Sequence, residues 1–445
     1  MFNLLTKGPG TSTKYPCFSR PFSSNNTLKN RHTESFTQEN ALPGQRPSKT
    51  SIPLNGEPIE FSAVLLRDAC SCPACVDETS GQRLFSAADI PADIQARKVE
   101  VGTRSDSVKI TWENDLPGYE EEHTTTLKVT ALQDMVQSGC APGMHRDTFT
   151  AQALWSTKPL NLPDYDYERY MKDDSVLYQL VRQLRIHGLA FVTNVPGVKE
   201  SLATIATRIG PVKDTFYGHT WDVRTVPEAI NAAYTSHDLG FHTDLLSAVD
   251  LFHTDMDAFD TLTSVPVNYH YNHPDSNIYH TTKPVIDLCP LRIGDVVYTR
   301  FEEYMKAMES RCSNGPGDQW KTTLLVNCLH KVNWGPPFLA PFSNHDGLAI
   351  DVKGSAQSPL SALNDKADRW HHAARKFNAL LQRPEYLYER KMEPGECVLF
   401  DNTRTLHSRR SFHMADVGKP RWLRGTYVDK DPYLSKLRVL QNRFG

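Results

Sequence analysis

The sequence predicts an antiparallel β barrel with flanking helices, preceded by a small β-rich domain. Three observations lead there. Strand signals dominate the second half of the chain without the βαβ rhythm of a doubly wound sheet. Short strand-like runs separated by Gly, Pro and Asp turns fill the stretch from Glu60 to about Val129. The 445 residues are enough for two folded units and a tail.

Taken in order, the first forty or so residues carry Lys7, Lys14, Arg20, Lys29 and Arg31, with no acidic residue before Glu34. That composition predicts a mitochondrial presequence with a processing-like segment Arg20-Pro21-Phe22-Ser23; a disordered cytoplasmic tail is the alternative. Residues 1–50 are therefore set outside the fold. The small domain is expected over 51–130, with strands at Phe61 to Leu66, Val108 to Trp112 and Thr125 to Val129. A linker with one short helix is expected over 131–163, and the barrel domain over 164–445. Within it Val176, Leu177, Leu180, Val181 and Leu184 recur at helical spacing, and His187-Gly188 then switches the chain to a strand from Leu189 to Val192. Further strands are expected at Val296 to Phe301 and Glu396 to Phe400, and a helix from Ala362 to Leu381. No internal repeat of structural length is present.

The bulk numbers narrow the function. A formal net charge of −3 gives no reason to expect nucleic acid or an anionic membrane as partner. No apolar run approaches the roughly 18 to 20 residues of a membrane span, so a soluble protein is expected. Of nine cysteines only Cys70, Cys72 and Cys75 cluster, which suits a metal site in a reducing compartment better than a disulfide framework.

Two metal sites are candidates. In Phe241-His242-Thr243-Asp244, the His and Asp are two apart, so in a strand both point to one face. His407, at the end of another expected strand, offers a third ligand. Two imidazoles and a carboxylate leave three positions open on Fe(II), the arrangement of oxygenases that admit a bidentate oxoacid and O2. Arg421 could clamp the distal carboxylate of such an oxoacid, with Arg409, Arg410 and Arg424 as competitors. The second candidate is Cys70-Ser71-Cys72-Pro73-Ala74-Cys75, three thiolates close enough for one tetrahedral ion that still needs a fourth ligand. A repeat of the letters at Phe252-His253-Thr254-Asp255 is a decoy. Phe252, Met256 and Phe259 recur at helical spacing, and on a helix His253 and Asp255 diverge, so they read as solvent-facing helix residues.

The blocks Thr215-Phe216-Tyr217-Gly218-His219-Thr220-Trp221, Ala233-Tyr234-Thr235 to Leu245, and Phe400-Asp401-Asn402 to Ser411 resemble the γ-butyrobetaine and trimethyllysine dioxygenases of the taurine dioxygenase-like superfamily. The resemblance covers most of residues 60–440 and carries several motifs in order. It implies a double-stranded β-helix (jelly-roll) barrel, with His242, Asp244 and His407 binding Fe(II) and Arg421 binding 2-oxoglutarate. It implies His123 as the fourth ligand of a structural Zn(II), and an aromatic cage of Tyr217, Trp221, Tyr234 and Tyr427, with Asn231, around a trimethylammonium substrate. The implied reaction uses O2 and 2-oxoglutarate, with ascorbate as reductant, to hydroxylate γ-butyrobetaine to carnitine. Trimethyllysine or another betaine is the alternative substrate, and a homodimer is compatible with this reading.

The chain departs from the family in three places. The His407 to Arg421 spacing is one residue longer than in the animal enzymes, within a turn at Asp416 to Lys419. A second substrate-contacting Asn is missing near Gly335. The barrel strands and double-glycine turn expected between the His242 strand and the helix near Ala248 have almost no residues to form them, since two strands and a turn need about 12. The barrel is therefore expected to lack two strands, which keeps a non-catalytic zinc-stabilised scaffold as the rival to an active hydroxylase; succinate formation separates the two.

Overall fold

A computed structural model of the chain describes residues 2–7, 48–102, 106–119, 123–139, 141–142, 152–153, 161–215, 217–224, 239–242, 246–273, 277–309, 319–344, 358–384, 387–409 and 422–445. It divides into two compact units, Cys17–Thr148 on one side, and Met1–Pro16 with Phe149–Gly445 on the other. The chain opens with a strand, β1 (Phe2–Lys7), which belongs to the larger unit. The sequence reading had set this segment outside the fold.

In the smaller unit β2 (Lys49–Leu54) and β3 (Glu57–Ser62) form a hairpin. Its turn is Asn55-Gly56, both at positive φ (53° and 88°), the backbone that a two-residue hairpin loop requires. Helix α1 (Ala63–Asp68) follows, where the sequence predicted that the strand would run on to Leu66. Ser62 caps this helix by accepting from the Leu65 N–H, and a short apolar run carries no periodicity that would have decided the matter. Next, β4 (Gln95–Val101), β5 (Ser107–Glu113) and β6 (Thr124–Lys128) make an antiparallel sheet, and α2 (Val129–Ser138) packs beside it. The core is Ile52, Phe61, Leu66, Ile110, Trp112, Leu127 and Leu132 with a few neighbours.

In the larger unit β7 (Asp164–Asp166) and α3 (Tyr167–Lys172) lead into α4 (Asp174–His187). Asp173 caps α4, Gly188 ends it in the left-handed region at φ 74°, and the five apolar residues that predicted this helix are all buried. After β8 (Leu189–Thr193) come α5 (Ser201–Ile209), β9 (Trp221–Arg224) and β10 (Leu239–His242). Helices α6 (Leu246–Thr254) and α7 (Met256–Ser264) follow, then β11 (Val267–His273), β12 (Asn277–Lys283), β13 (Ile286–Leu288), β14 (Leu291–Ile293) and β15 (Val296–Tyr298). The expected strand to Phe301 stops at Tyr298, because Phe301 starts α8 (Phe301–Glu309), its ring packed edge-on against Phe252 and Phe259. The remainder is α9 (Gln319–Cys328), β16 (Leu329–Val332), α10 (Pro359–Leu381), β17 (Cys397–Asp401), β18 (His407–Arg409), β19 (Trp422–Val428) and α11 (Lys430–Phe444).

One six-stranded sheet organises this unit, in the order β7-β8-β17-β1-β19-β9, antiparallel except for the β7/β8 pair. Strand alternation sorts its side chains. Ala190, Val192, Cys397, Leu399 and Val428 face a layer built from α4, α5 and α11, while Leu189, Phe191, Val398 and Phe400 make a smaller cluster of their own. A further core joins α6, α7 and α10 to β13 and β16. The fold is thus mixed sheets and helices rather than mainly β, and the remaining strands form two-stranded ladders, among them β10 with β18. Three residues, 243–245, separate β10, which ends at His242, from α6, which starts at Leu246, and they lie outside the described residues. No helix among the described residues is long and apolar enough to cross a membrane.

Candidate metal centres and an aromatic corner

Cys70, Cys72, Cys75 and His123 converge although His123 lies in another segment of the chain: their ligand atoms all fall within 4.8 Å of one another. The His123 Nε2 sits 3.4, 3.5 and 3.3 Å from the three sulfurs. A tetrahedral Zn(II) with bonds of about 2.3 Å to sulfur and 2.0 to 2.1 Å to nitrogen separates such atoms by roughly 3.6 Å, so the donor set fits that ion. The other ring nitrogen, Nδ1, is 2.8 Å from the Asp115 carboxylate, which also accepts from the buried Arg67 at 2.6 Å and from the Leu116 N–H at 2.7 Å. Arg67 in turn reaches the Cys75 sulfur at 3.3 Å and stacks near the rings of Phe85 and Tyr119.

The charges of this cluster reinforce one another. Burial works against the His123 cation, but Asp115 and the Cys70 sulfur hold its pKa up at about 10. Burial likewise works against a Cys70 thiolate, yet His123 and the Cys72 N–H bring that thiol down to about 6. Cys75 is pushed up to about 12 by burial and by the Cys70 charge. A divalent cation would displace these protons, and the Asp115 partner is the kind of outer contact that fixes the ligating tautomer of a histidine.

The second candidate centre is read from backbone register. Strands β10 and β18 pair antiparallel with His242 opposite His407. The register is irregular between Leu239 and His242, and the pairing sets the backbones of two of the three residues that the resemblance assigned to iron side by side. The His407 strand is fixed from behind. The Phe400 ring lies 4.6 Å from that of His407, the Asp401 carboxylate accepts from the Thr403 N–H at 3.0 Å, and the Arg404 guanidinium donates to the carbonyls of Arg185, Ala153 and Ile186 at 2.9, 3.1 and 3.3 Å. Asp244, Arg410 and Arg421 lie outside the described residues, as do Asn231 and Tyr234. Of Arg421's competitors, Arg424 is engaged elsewhere: it donates to Thr220 at 2.8 Å and pairs with Asp222, its register partner.

Three of the four expected cage aromatics come together. Trp221 is the register partner of Gly425, and a Cβ on Gly425 would stand 2.6 to 2.8 Å from the indole ring, so only glycine lets the ring lie there. Trp221 packs 4.6 Å from Tyr427 and 5.9 Å from Tyr217 between ring centroids, tilted by 38° and 40°. At 4.6 Å no group fits between two rings, so they form the corner of a wall rather than a sandwich. Burial pushes the Tyr427 hydroxyl up to about 12. Tyr271 of β11, edge-on to Tyr217 at 6.3 Å, extends the corner and was not anticipated. Asp115 and Arg67 were missed too, because nothing local in sequence ties them to the cysteines.

The decoy residues do other work. His253 is exposed and within 2.7 Å of the Thr322 hydroxyl, while Asp255 caps α7 and pairs with Lys376. Asp255 lies between two helices instead of within one.

Two family profiles match the chain: "Gamma-butyrobetaine hydroxylase-like, N-terminal" over residues 54–127, which contains the whole cysteine and histidine cluster, and "Taurine catabolism dioxygenase TauD, TfdA family" over 248–427, which contains His407 and Arg421 but not His242. "Dioxygenase str8" of Strobilurus tenacellus is 27% identical across 97% of this chain and 99% of its own length. "Gamma-butyrobetaine dioxygenase" of a Pseudomonas strain is 25% identical across 87% and 92%. "Trimethyllysine dioxygenase, mitochondrial" of Gallus gallus is 24% identical across 86% and 84%.

Proposed function

Since the chain is a 2-oxoglutarate-dependent dioxygenase of the γ-butyrobetaine dioxygenase-like family, we propose that it hydroxylates a small trimethylammonium substrate, γ-butyrobetaine to carnitine in the first instance. Trimethyllysine or another betaine is the second choice. The observation that carries this reading is the corner of Tyr217, Trp221 and Tyr427, built on the sheet whose strand β17 leads into the ladder that opposes His242 and His407.

In this reading the six-stranded sheet is one face of a double-stranded β-helix, and β10 with β18 belongs to the other. Fe(II), when held by His242, Asp244 and His407, supplies O2 activation coupled to decarboxylation of 2-oxoglutarate to succinate and CO2. The chain's own side chains do the rest. Arg421 grips the distal carboxylate of 2-oxoglutarate by a forked pair of N–H bonds. A quaternary ammonium cannot donate a hydrogen bond, so the corner holds it through the ring faces, with Tyr234 and Asn231 completing the contact. Holding both ends places one C–H bond toward the metal and keeps water out. Ascorbate keeps the iron reduced, and a structural Zn(II) on Cys70, Cys72, Cys75 and His123 stabilises a unit whose small core is otherwise marginal. The relatives named as mitochondrial trimethyllysine dioxygenases support a mitochondrial location.

The test is succinate formation with Fe(II), ascorbate and 2-oxoglutarate, comparing γ-butyrobetaine with its neutral tert-butyl isostere, in the native chain and in Trp221→Ala. Losing one cation–π contact should weaken the cationic substrate by about 0.5 to 2 kcal/mol and leave the isostere nearly unchanged. Equal losses for both would make Trp221 a packing residue and remove the basis for a trimethylammonium substrate.

A further inference from the structure

We infer that the amino-terminal hexapeptide Phe2–Lys7 is a built-in donor strand, which completes the central sheet in place of the strands missing after His242 and positions the residues around the candidate iron site. The evidence lies in the sheet order. Strand β1 sits between β17 and β19, antiparallel to both, with register partners from Phe2↔Asp401 to Thr6↔Cys397 on one side and from Phe2↔Val428 to Lys7↔Leu423 on the other. Two strands that are each antiparallel to a common neighbour run parallel to one another. They lie two strand spacings apart, about 9.5 Å, too far to bond directly.

Both neighbours are built as interior strands. All five residues of β17 are buried, and five of the seven in β19. Continuous burial on both faces marks strands covered throughout, and an apolar edge of that kind left open is a site for pairing with another chain. The body of the unit has no strand for this slot among the described residues. Only three residues separate β10 from α6, too few for the two strands and a turn that the family has there. The amino terminus fills a gap that the sequence left.

The placement reaches the candidate site directly. Asn3 is opposite Tyr427 on one side and opposite Phe400 on the other, and Phe400 packs against the His407 ring. Leu5 is opposite Gly425, whose missing Cβ admits Trp221. The hexapeptide is thus a positioning element for both the aromatic corner and the distal histidine. Cleavage at the presequence-like segment Arg20-Pro21-Phe22-Ser23 would remove it, so a donor strand and a discarded presequence exclude one another.

Two measurements on the full chain test this, and neither depends on turnover. Thr6→Cys puts a thiol opposite the native Cys397, and mild oxidation followed by peptide mapping should find that pair linked. Leu4→Pro removes a ladder N–H and should raise amide exchange in Val398 to Phe400 and Gly425 to Tyr427 by about 100-fold or more, while Thr13→Pro, outside the strand, should not. If Leu4→Pro does not fold, the crosslink decides by itself. Exchange unchanged by Leu4→Pro, or a thiol at position 6 that never links to Cys397, overturns the proposal.

Discussion

Replacing Gly425 by alanine tests the aromatic corner at the point where the structure gives a magnitude. The added Cβ would meet the Trp221 ring at 2.6 to 2.8 Å from three of its atoms. Ordinary contact begins near 3.4 Å, so the indole must retreat by about 0.8 Å or the two strands must part. Overfilling a packed site by one methyl group costs about 1 to 3 kcal/mol. The same movement disturbs the 4.6 Å contact of Trp221 with Tyr427, and with it the wall offered to a cation. Gly425→Ala is therefore expected to lower the melting temperature and to weaken a trimethylammonium substrate by about 2- to 30-fold, the equivalent of one cation–π contact, while a neutral isostere loses less. Calorimetry and substrate titration in the presence of Fe(II) and 2-oxoglutarate read both effects. A double variant supplies the control: with Trp221→Ala already made, Gly425→Ala should cost almost nothing further, because the ring it strikes is gone. Full stability and unchanged selectivity in the single variant would refute the argument, as would additive losses in the double.

Two other predictions concern the remaining sites. Protein purified without chelator should hold one zinc per chain, lost in Cys72→Ala, and Asp115→Asn should weaken zinc by about 10- to 100-fold, because Asp115 orients His123; metal analysis that finds no zinc in the native chain sinks the idea. The Asp255 carboxyl is held below the usual range by Lys376 and by the Ala258 N–H, so this pair adds stability above the unfolded value near 3.8 and loses it as pH falls through the lower folded value. Both side chains are partly exposed, so Lys376→Met should cost less than about 1 kcal/mol at pH 7 and nothing near pH 2, and melting curves that show the same deficit at both would exclude the pairing.

What the sequence by itself determined is what short-range spacing can encode. The α4 periodicity, its Gly188 stop and the turn into β8 were legible because helix caps and apolar repeats act within a few residues. So were the three clustered cysteines, and the shortage of chain after His242, which is a matter of counting. Resemblance to a family added His123, Tyr217, Trp221 and Tyr427; in the structure His123 lies beside the three cysteines and the three rings lie beside one another. Tertiary structure decided the rest. That His242 stands opposite His407 depends on two strands distant in the chain finding one register, and register is set by burial across the whole sheet. Asp115 and Arg67 join the cysteines through the interior of a small unit, where a buried guanidinium needs a carboxylate that no local pattern identifies. The use of Phe2–Lys7 was invisible for the same reason. Six residues with a basic, Ser- and Thr-rich tail behind them read as a leader, and only the open slot between β17 and β19, formed by residues four hundred positions away, makes them a strand.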